Sequence, residues 1–248
     1  MKEALGMMQN KKQWLVVGYQ PVSLFSLKRS DATNMAAATN LVPTPYAIKM
    51  ALLRILIEHQ GKQHREEFKT WIEGEFNWIR NLDIFIQPCD RVVVNRNGYK
   101  IRYYDQTTDK ADKKANRNRK TLPLHDGFIF REWAYLEGVM KICCGPTEYS
   151  DELEQLFANI NYFGKRGCLF QYLPDQTKVL DEPQFQQFVS QDFIVQPWDD
   201  LGEKTTFEKI NPYSTKGAKL NKDRCISSAF LPLRLLTSST HYDLYERS

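Results

Sequence analysis

The stretch from Trp14 to Glu58 constrains the fold most, because it contains the clearest strand and the clearest helix of the chain. Residues 14–19 are almost entirely apolar, which predicts a buried strand, and residues 21–27 continue in extended form after a proline. The start of the helix is well marked, since Thr44 can cap the first unpaired amides and Pro45 has no amide of its own. This succession predicts a helix that lies flat on a sheet.

The predicted helix is apolar on most of its surface. Its main face is formed by residues at i, i+3, i+4, i+7 and i+8, which are Ile48, Ala51, Leu52, Ile55 and Leu56. Lys49 and Arg54 are the few charges inside this apolar surface. The loop that leads into the helix, residues 28–34, is small and polar and begins with the basic pair Lys28 and Arg29.

Composition limits the class of protein. With 248 residues, of which 42% are hydrophobic, the chain can bury a core, but length alone does not choose between one large domain and two small ones. Because the sequence contains no internal repeat and no domain linker, we expect a single domain over residues 1–248. It has no uncharged apolar run of about 18 residues and no apolar segment of the kind that a secretory signal contains. The five cysteines follow no metal-ligand spacing and indicate reduced thiols. We therefore predict a cytoplasmic protein with no membrane contact, no metal and no cofactor.

The charge is unevenly distributed. The chain has a net charge of +4, but Lys100 to Lys120 alone contains eight basic and three acidic residues. Residues 105–123 contain almost no apolar side chains and are not expected to fold by themselves. Such an arm can follow a phosphate backbone by releasing counterions. The alternative is a solvated surface loop.

Further elements follow from periodicity and turn residues. An Asn97-Gly98 dipeptide predicts a tight hairpin turn between two short strands, because both turn positions require positive φ. Residues 128–142 begin as a strand, their second half allows a helix, and Pro146 is expected to end the segment. The other predictions are a helix over 65–81, a strand over 83–88, strands over 92–95 and 99–104, a helix over 152–160 capped by Ser150 or Asp151, a strand over 168–173, and short strands ending with 229–236.

Two polar loops are candidate anion sites. The turn from Gly164 to Gly167 combines glycines, which let a backbone approach a phosphate closely, with Lys165 and Arg166. The alternative for these four residues is an ordinary turn. The loop with Lys28 and Arg29 lies just before a helix N-terminus, which itself attracts anions.

No established catalytic motif is present. The sequence contains no GxSxG, Walker, GxGxxG or HExxH pattern, which excludes the commonest nucleotide-binding and hydrolase classes. His59 and His64 are five residues apart, so they do not form a helical metal pair. His125 stands next to Asp126 where the basic arm ends, and a histidine with a nearby lysine and tyrosine could cleave RNA without a metal.

Three segments resemble the CRISPR-associated Cas-five family. Residues 23–29, a small-residue loop and then residues 41–52 (LVPTPYAIKMAL) are similar to the start of that family, with paired prolines and an early helical lysine. Residues 128–133 (FIFREW) resemble the strand that follows the thumb in the type I-A and I-B branches. Residues 162–167 (YFGKRG) resemble type I-B members.

The resemblance implies an α+β fold. The expected architecture is a ferredoxin-like, RNA-recognition-motif (RAMP) domain with a β-hairpin thumb inserted at about residues 91–126. The chain lacks the glycine-rich loop that the family carries near its C-terminus.

The resemblance also implies a CRISPR RNA-binding subunit of a type I-B or I-A-like Cascade complex, for antiviral defence or RNA-guided transposition. Such a subunit caps the 5′ handle of the CRISPR RNA, bridges the backbone (Cas-seven) and large (Cas-eight) subunits, and meets target DNA only indirectly. The residues assigned to RNA are Lys28, Arg29, Ser30, Asn34, Tyr46, Lys49, Arg131, Trp133, Lys165 and Arg166. Those assigned to the thumb are Lys110, Lys113, Lys114, Arg117, Arg119 and Lys120.

Two alternatives remain. The type I-C branch of the family cleaves precursor RNA with tyrosine, lysine and histidine, and Tyr46, Lys120 and His125 are the corresponding candidates, although no motif aligns them. The main reading assigns no catalytic residue. The other alternative is a basic protein-interaction module, whose affinity for its partner would not fall steeply with salt.

Overall fold

A computed structural model describes residues 12–33, 36–104, 124–183 and 192–248. The strands are β1 (Gln13–Pro21), β2 (Ala36–Ala37), β3 (Asp83–Gln87), β4 (Arg91–Tyr104), β5 (Leu124–Glu137), β6 (Met140–Thr147), β7 (Phe170–Leu180), β8 (Ile194–Leu201), β9 (Arg224–Leu231), β10 (Leu233–Ser238) and β11 (Tyr242–Arg247). The helices are α1 (Pro45–Gln60), α2 (Phe68–Arg80), α3 (Ser150–Ala158) and α4 (Phe207–Ile210). The chain is therefore a mixed α+β protein, as the fold-class prediction required at its coarsest level.

The central sheet has four antiparallel strands in the order β3-β6-β1-β7. The strand predicted over residues 14–19 is its inner strand β1, paired on both sides. Leu15, Val17 and Tyr19 alternate along β1 and are fully buried in the core with the apolar faces of α1 and α3. The Tyr19 hydroxyl donates to the carbonyl of Phe157 in α3 (2.6 Å), so sheet and helix are also joined by a hydrogen bond.

Helix α1 begins where the sequence predicted. The Thr44 hydroxyl accepts a hydrogen bond from the Ala47 amide (3.4 Å), and Pro45 is the first helical residue. The predicted helix over 65–81 is α2. The helix predicted over 152–160 is α3, but the predicted cap is wrong, because Ser150 lies inside the first turn and Tyr149 is the capping residue, with no side-chain bond.

A long ribbon formed by β4 and β5 is inserted between β3 and β6. The two strands pair without interruption from Arg91 opposite Glu137 to Tyr104 opposite Leu124. The hairpin turn predicted at Asn97-Gly98 is therefore wrong, and the two strands predicted around it are one strand. Position 98 favours glycine for a different reason. A Cβ there would lie 2.5 Å from the ring of Phe128 on the opposite strand.

The segment over residues 128–142 is strand throughout, apart from a turn. Strand β5 ends at Glu137, Gly138 adopts a φ of +96°, and β6 returns along the central sheet. The helical reading of the second half is wrong, because Ile142 and its neighbours are paired with β1 on one side and β3 on the other. Pro146 does not end the segment, since β6 runs to Thr147.

The C-terminal part covers one side of this core. Strands β8 and β9 form an antiparallel hairpin, while β10 and β11 extend the ribbon into a sheet of order β10-β11-β4-β5-β2. The strand predicted over 168–173 is β7, which starts later and is longer than expected. Among the helices of the described residues, none has the length and apolar character that a bilayer crossing requires.

Candidate nucleic-acid interface

A cleft of about 410 Å³ lies beside the first half of α1. The loop after β1, the turn at Gly164 and the β8–β9 hairpin form its other walls. Its lining residues are Leu27, Lys28, Ser30, Asn40, Thr44, Tyr46, Ala47, Met50, Ala51, Arg54, Tyr162, Gly164, Asp199 and Arg224. We refer to it below as the α1 cleft. It brings together the two polar loops that the sequence singled out separately.

The loop that enters α1 is held by hydrogen bonds from distant parts of the chain. The Gln196 side chain on β8 accepts from the amides of Leu41 (2.7 Å) and Val42 (3.3 Å) and donates to the Val42 carbonyl (3.2 Å). Gln196 is 1% exposed, so it replaces a missing strand partner inside the protein. The Thr39 amide donates to Glu132 on the ribbon (2.9 Å). The wall of the α1 cleft is thus fixed by β8 and β5 together.

Tyr46 lies at the start of α1, where its ring contacts a guanidinium group. The Arg224 guanidinium carbon is 4.3 Å from the ring centroid, and Arg224 also pairs with Asp199, with Nε 3.3 Å from Oδ1. Burial raises the pKa of the Tyr46 hydroxyl, so it remains protonated at neutral pH. Tyr46 was assigned to RNA from the sequence, and one face of its ring is already occupied by Arg224.

Arg54 makes a similar contact two turns further along α1. Its guanidinium carbon is 4.4 Å from the ring centroid of Tyr162, and its Nη1 pairs with Glu58 at 3.1 Å. Its Nε and Nη2 are buried and have no hydrogen-bond partner among the described residues. The sequence marked Arg54 only as a charge within an apolar helix. The usable signal was its spacing from Ala47 and Ala51, which places all three on the same helical face.

The turn at Gly164 presents two cations at the edge of the cleft. Gly164 has a φ of +72°, and a Cβ there would lie 2.8 Å from Leu27, so both the backbone and the space favour glycine. Lys165 Nζ lies 5.4 Å from the ring centroid of Trp133 and 3.4 Å from the Ser26 hydroxyl. Arg166 is exposed. Lys165 and Trp133, which the sequence analysis assigned to RNA separately, therefore lie in one cluster.

Three other assigned residues have protein partners. The Arg29 guanidinium binds Asp31 through two bonds of 3.0 and 2.8 Å, which raises the pKa of Arg29 and lowers that of Asp31. Arg131 on β5 donates from Nη1 to the carbonyl of Phe130 (2.9 Å). Lys49 is only 2% exposed, and its Nζ is 2.8 Å from both Asp200 Oδ1 and the Arg80 carbonyl. Lys49 therefore faces the interior, away from any RNA on the surface.

Several predicted site residues lie outside the described residues. These are Asn34 and the six thumb residues Lys110, Lys113, Lys114, Arg117, Arg119 and Lys120. The proposed catalytic trio is also incomplete there, since Lys120 and the side chain of His125 are not described. Of the trio, only Tyr46 has a described environment.

The ribbon carries exposed aromatic side chains that the sequence analysis did not assign. Phe128 and Phe130 are 51% and 54% exposed, and their ring centroids are 5.2 Å apart. Tyr99 on β4 is 43% exposed. Lys100 pairs with Asp126 across the strands at 2.8 Å. Phe128 and Phe130 share one side of the ribbon, whereas Tyr99, paired with Ile129, lies on the other side. The strand assignment alone could have found the Phe128 and Phe130 pair, because residues two apart in a strand share a side.

The comparisons with known proteins agree with the family that the motifs indicated. A curated protein of Archaeoglobus fulgidus, named CRISPR-associated protein Cas5, is 24% identical to this chain over 220 residues, which are 84% of this chain and 88% of the relative. No protein-family model matches the chain. The predicted resemblance to the Cas-five family is confirmed by this relative.

Two solved structures also align with the chain. One is a CRISPR protein from Archaeoglobus fulgidus, with 12% identity, a TM-score of 0.42, and coverage of 95% of this chain and 92% of the other. The second is a chain of a CRISPR RNA-guided surveillance complex, with 10% identity, a TM-score of 0.38, and coverage of 88% and 90%.

Proposed function

We propose that this protein is a CRISPR RNA-binding subunit of a type I Cascade complex. The observation that carries the proposal is a relative named Cas5 that spans most of the chain, together with a cleft lined by cations and tyrosines at the matching motifs. Single-stranded RNA is usually recognised by such combinations of cationic and aromatic side chains. The subunit would cap the 5′ handle in a type I-B or I-A-like complex.

We further propose a ferredoxin-like fold of the RAMP type for the central part. Omitting β2, α2 and the ribbon, the chain order is β1-α1-β3-β6-α3-β7, which is the βαββαβ succession of that fold. The antiparallel order β3-β6-β1-β7 agrees with it. The β4–β5 ribbon, together with residues 105–123, would be the thumb.

The proposed partners are the Cas-seven backbone subunit and the Cas-eight large subunit, in the cytoplasm. The exposed aromatic residues of the ribbon support a protein contact, because the largest apolar patches on a surface commonly mark interaction sites. The six thumb cations would meet the RNA backbone next to that contact.

We propose a non-catalytic role. Of the alternative trio, Tyr46 has its hydroxyl pKa raised, because burial outweighs the lowering effect of the Arg224 charge, and a raised pKa does not activate a tyrosine for proton transfer. If the protein were a type I-C-like nuclease instead, the experiment below would show that it processes precursor RNA by itself.

The test is to purify the full chain from cells that express a CRISPR array and to sequence the bound RNA. We expect RNA with one constant 5′ end, and only when a separate processing nuclease is supplied. Absence of CRISPR RNA from the purified protein would refute the proposed function. Processing by this chain alone, lost in His125→Ala and retained in the control His241→Ala, would show that it is the nuclease.

A further inference from the structure

The α1 cleft contains polar atoms that lack partners within the protein. Arg54 Nε and Nη2 are two cationic donors without an acceptor among the described residues, and Asn40 Oδ1 is an acceptor without a donor there. Asn40 is 3% exposed. Burying such groups unpaired costs free energy, and charged groups cost more than neutral ones. The wall of the α1 cleft thus contains two strong donors and one acceptor that no described residue satisfies, and that a ligand could satisfy once these side chains turn outward.

The tyrosines of the cleft do not offer a sandwich for a base. The guanidinium of Arg224 lies on a face of Tyr46, and that of Arg54 lies on a face of Tyr162. Each of these two rings therefore has one face occupied by a guanidinium group. The rings support the arginines beside the cleft, and the planar N–H fork of a guanidinium group suits a phosphate.

We propose that the α1 cleft binds one ribose-phosphate unit of single-stranded RNA without reading its base. The phosphate accepts hydrogen bonds from Arg54 Nε and Nη2, and the ribose 2′-hydroxyl donates to Asn40 Oδ1. The inference rests on the proposed RNA-binding function and assigns a chemical task to this one cleft. The 410 Å³ volume has room for such a unit and lies at the small end of ligand sites.

Arg54 can reach an entering phosphate. Its side chain is 26% exposed, and Glu58, its acidic partner among the described residues, is 53% exposed and binds Nη1 alone. A small movement of the guanidinium away from Tyr162 turns both unpaired donors towards the cleft. Lys28 at the cleft rim adds positive charge.

The test uses the full-length protein and fluorescent oligomers of about 8 nucleotides. The probes are oligouridine RNA, oligoadenosine RNA and oligodeoxyadenosine. We expect Arg54→Gln to weaken binding of all three by about tenfold, as loss of charge-assisted hydrogen bonds implies. The slope of log affinity against log salt should also fall by about 0.7, the value for one phosphate on a single strand.

Asn40→Leu tests the ribose contact. We expect it to keep the affinity for oligodeoxyadenosine and to lose about fivefold for oligoadenosine RNA, since one hydrogen bond is removed. An unchanged ratio of RNA to DNA affinity would contradict the 2′-hydroxyl contact. The leucine removes an unpaired buried acceptor, so the thermal midpoint should not fall substantially.

The matched control is Arg91→Gln, which removes the same charge from a 53% exposed residue at the base of the ribbon. If Arg54→Gln fails to fold, Arg54→Lys takes its place, and it should keep the salt slope while losing affinity, because lysine lacks the planar fork. If the wild-type protein binds RNA and the folded Arg54 variant binds it with the same affinity, this inference is wrong and the proposed function stands. If wild type binds no RNA, both are wrong.

Discussion

Two residues of α1 that the sequence presents alike have opposite surroundings. Lys49 and Arg54 are both cations within an apolar helix, and only Lys49 was assigned to RNA. Lys49 Nζ is buried against Asp200 and the carbonyl of Arg80, whereas Arg54 lines the α1 cleft. A cation on an apolar helix can form an ion pair inside the protein or belong to a surface site. Which of the two it does depends on the element that packs against it.

Lys49→Met tests the internal role. We expect the free energy of unfolding to fall by about 2 kcal/mol, less than for a fully buried pair, because Asp200 is 33% exposed. Burial already raises the pKa of Asp200, and removal of Lys49 should raise it further. Denaturant unfolding measures the first effect.

The control for this substitution is Lys69→Met, at an exposed position of α2, which should change stability by less than about 0.5 kcal/mol. RNA affinity of the folded Lys49→Met protein should equal that of wild type. A clear loss of RNA affinity at unchanged stability would restore Lys49 to the RNA-binding surface.

At the scale of elements, a glycine marks the turn at which the chain leaves the ribbon and enters the central sheet. The Asn97-Gly98 dipeptide has the composition of a tight turn, yet both residues pair in the middle of β4. The chain instead turns sharply at Gly138, between β5 and β6, where φ is +96° and a Cβ would lie 2.2 Å from Asp90 Oδ2. The dipeptide preference was overridden because fourteen residues of β5 offer β4 a continuous partner.

Gly138→Ala should therefore destabilise the protein by about 2 kcal/mol, through an unfavourable φ and a collision with Asp90. Gly74→Ala is the matched control, because Gly74 lies in α2 with open space where its Cβ would be. That change should stabilise the protein by about 0.8 kcal/mol, the helix-propensity difference. Thermal melting of both variants measures the contrast, and equal destabilisation would show that the turn geometry at Gly138 is not limiting.

At the scale of the whole molecule, polar contacts attach the β8–β9 hairpin to helices α2 and α4. Asp223, just before β9, pairs with Lys209 (3.1 Å) and accepts from the Lys219 amide (2.9 Å). The Asp223 carbonyl accepts from Thr205, whose own carbonyl accepts from Arg80 in α2 (2.7 Å). These contacts keep Arg224, the neighbour of Asp223, at the α1 cleft.

Acid should loosen this attachment. The Lys219 amide, with Lys209, holds the pKa of Asp223 below its ordinary value of 3.8. A depressed carboxyl pKa contributes stability above the ordinary pKa, and that contribution is lost as the pH falls through the folded-state pKa. Asp223→Asn should therefore be less stable than wild type at neutral pH, and its unfolding free energy should fall less on acidification from about pH 5 to pH 2. Parallel stability curves for the two proteins would contradict this role.

The sequence by itself determined those features whose signals are local. The strand over 14–19, the Thr44–Pro45 helix start and the turn at residues 164–167 each depend on a few adjacent residues, and their backbone geometry follows from capping, ring closure or the missing Cβ. The family resemblance depended on the same local motifs.

Only the tertiary structure decided how these pieces form a site. The amide of Gln196 holds a loop about 150 residues away in sequence, and Arg224 reaches Tyr46 across the β8–β9 hairpin. Such contacts leave no periodic pattern, because their energy depends on one geometry of distant segments and not on neighbouring residues. For this reason only the tertiary structure assigned Arg54, Asn40 and Arg224 to the candidate site, and it placed Lys49 in the interior.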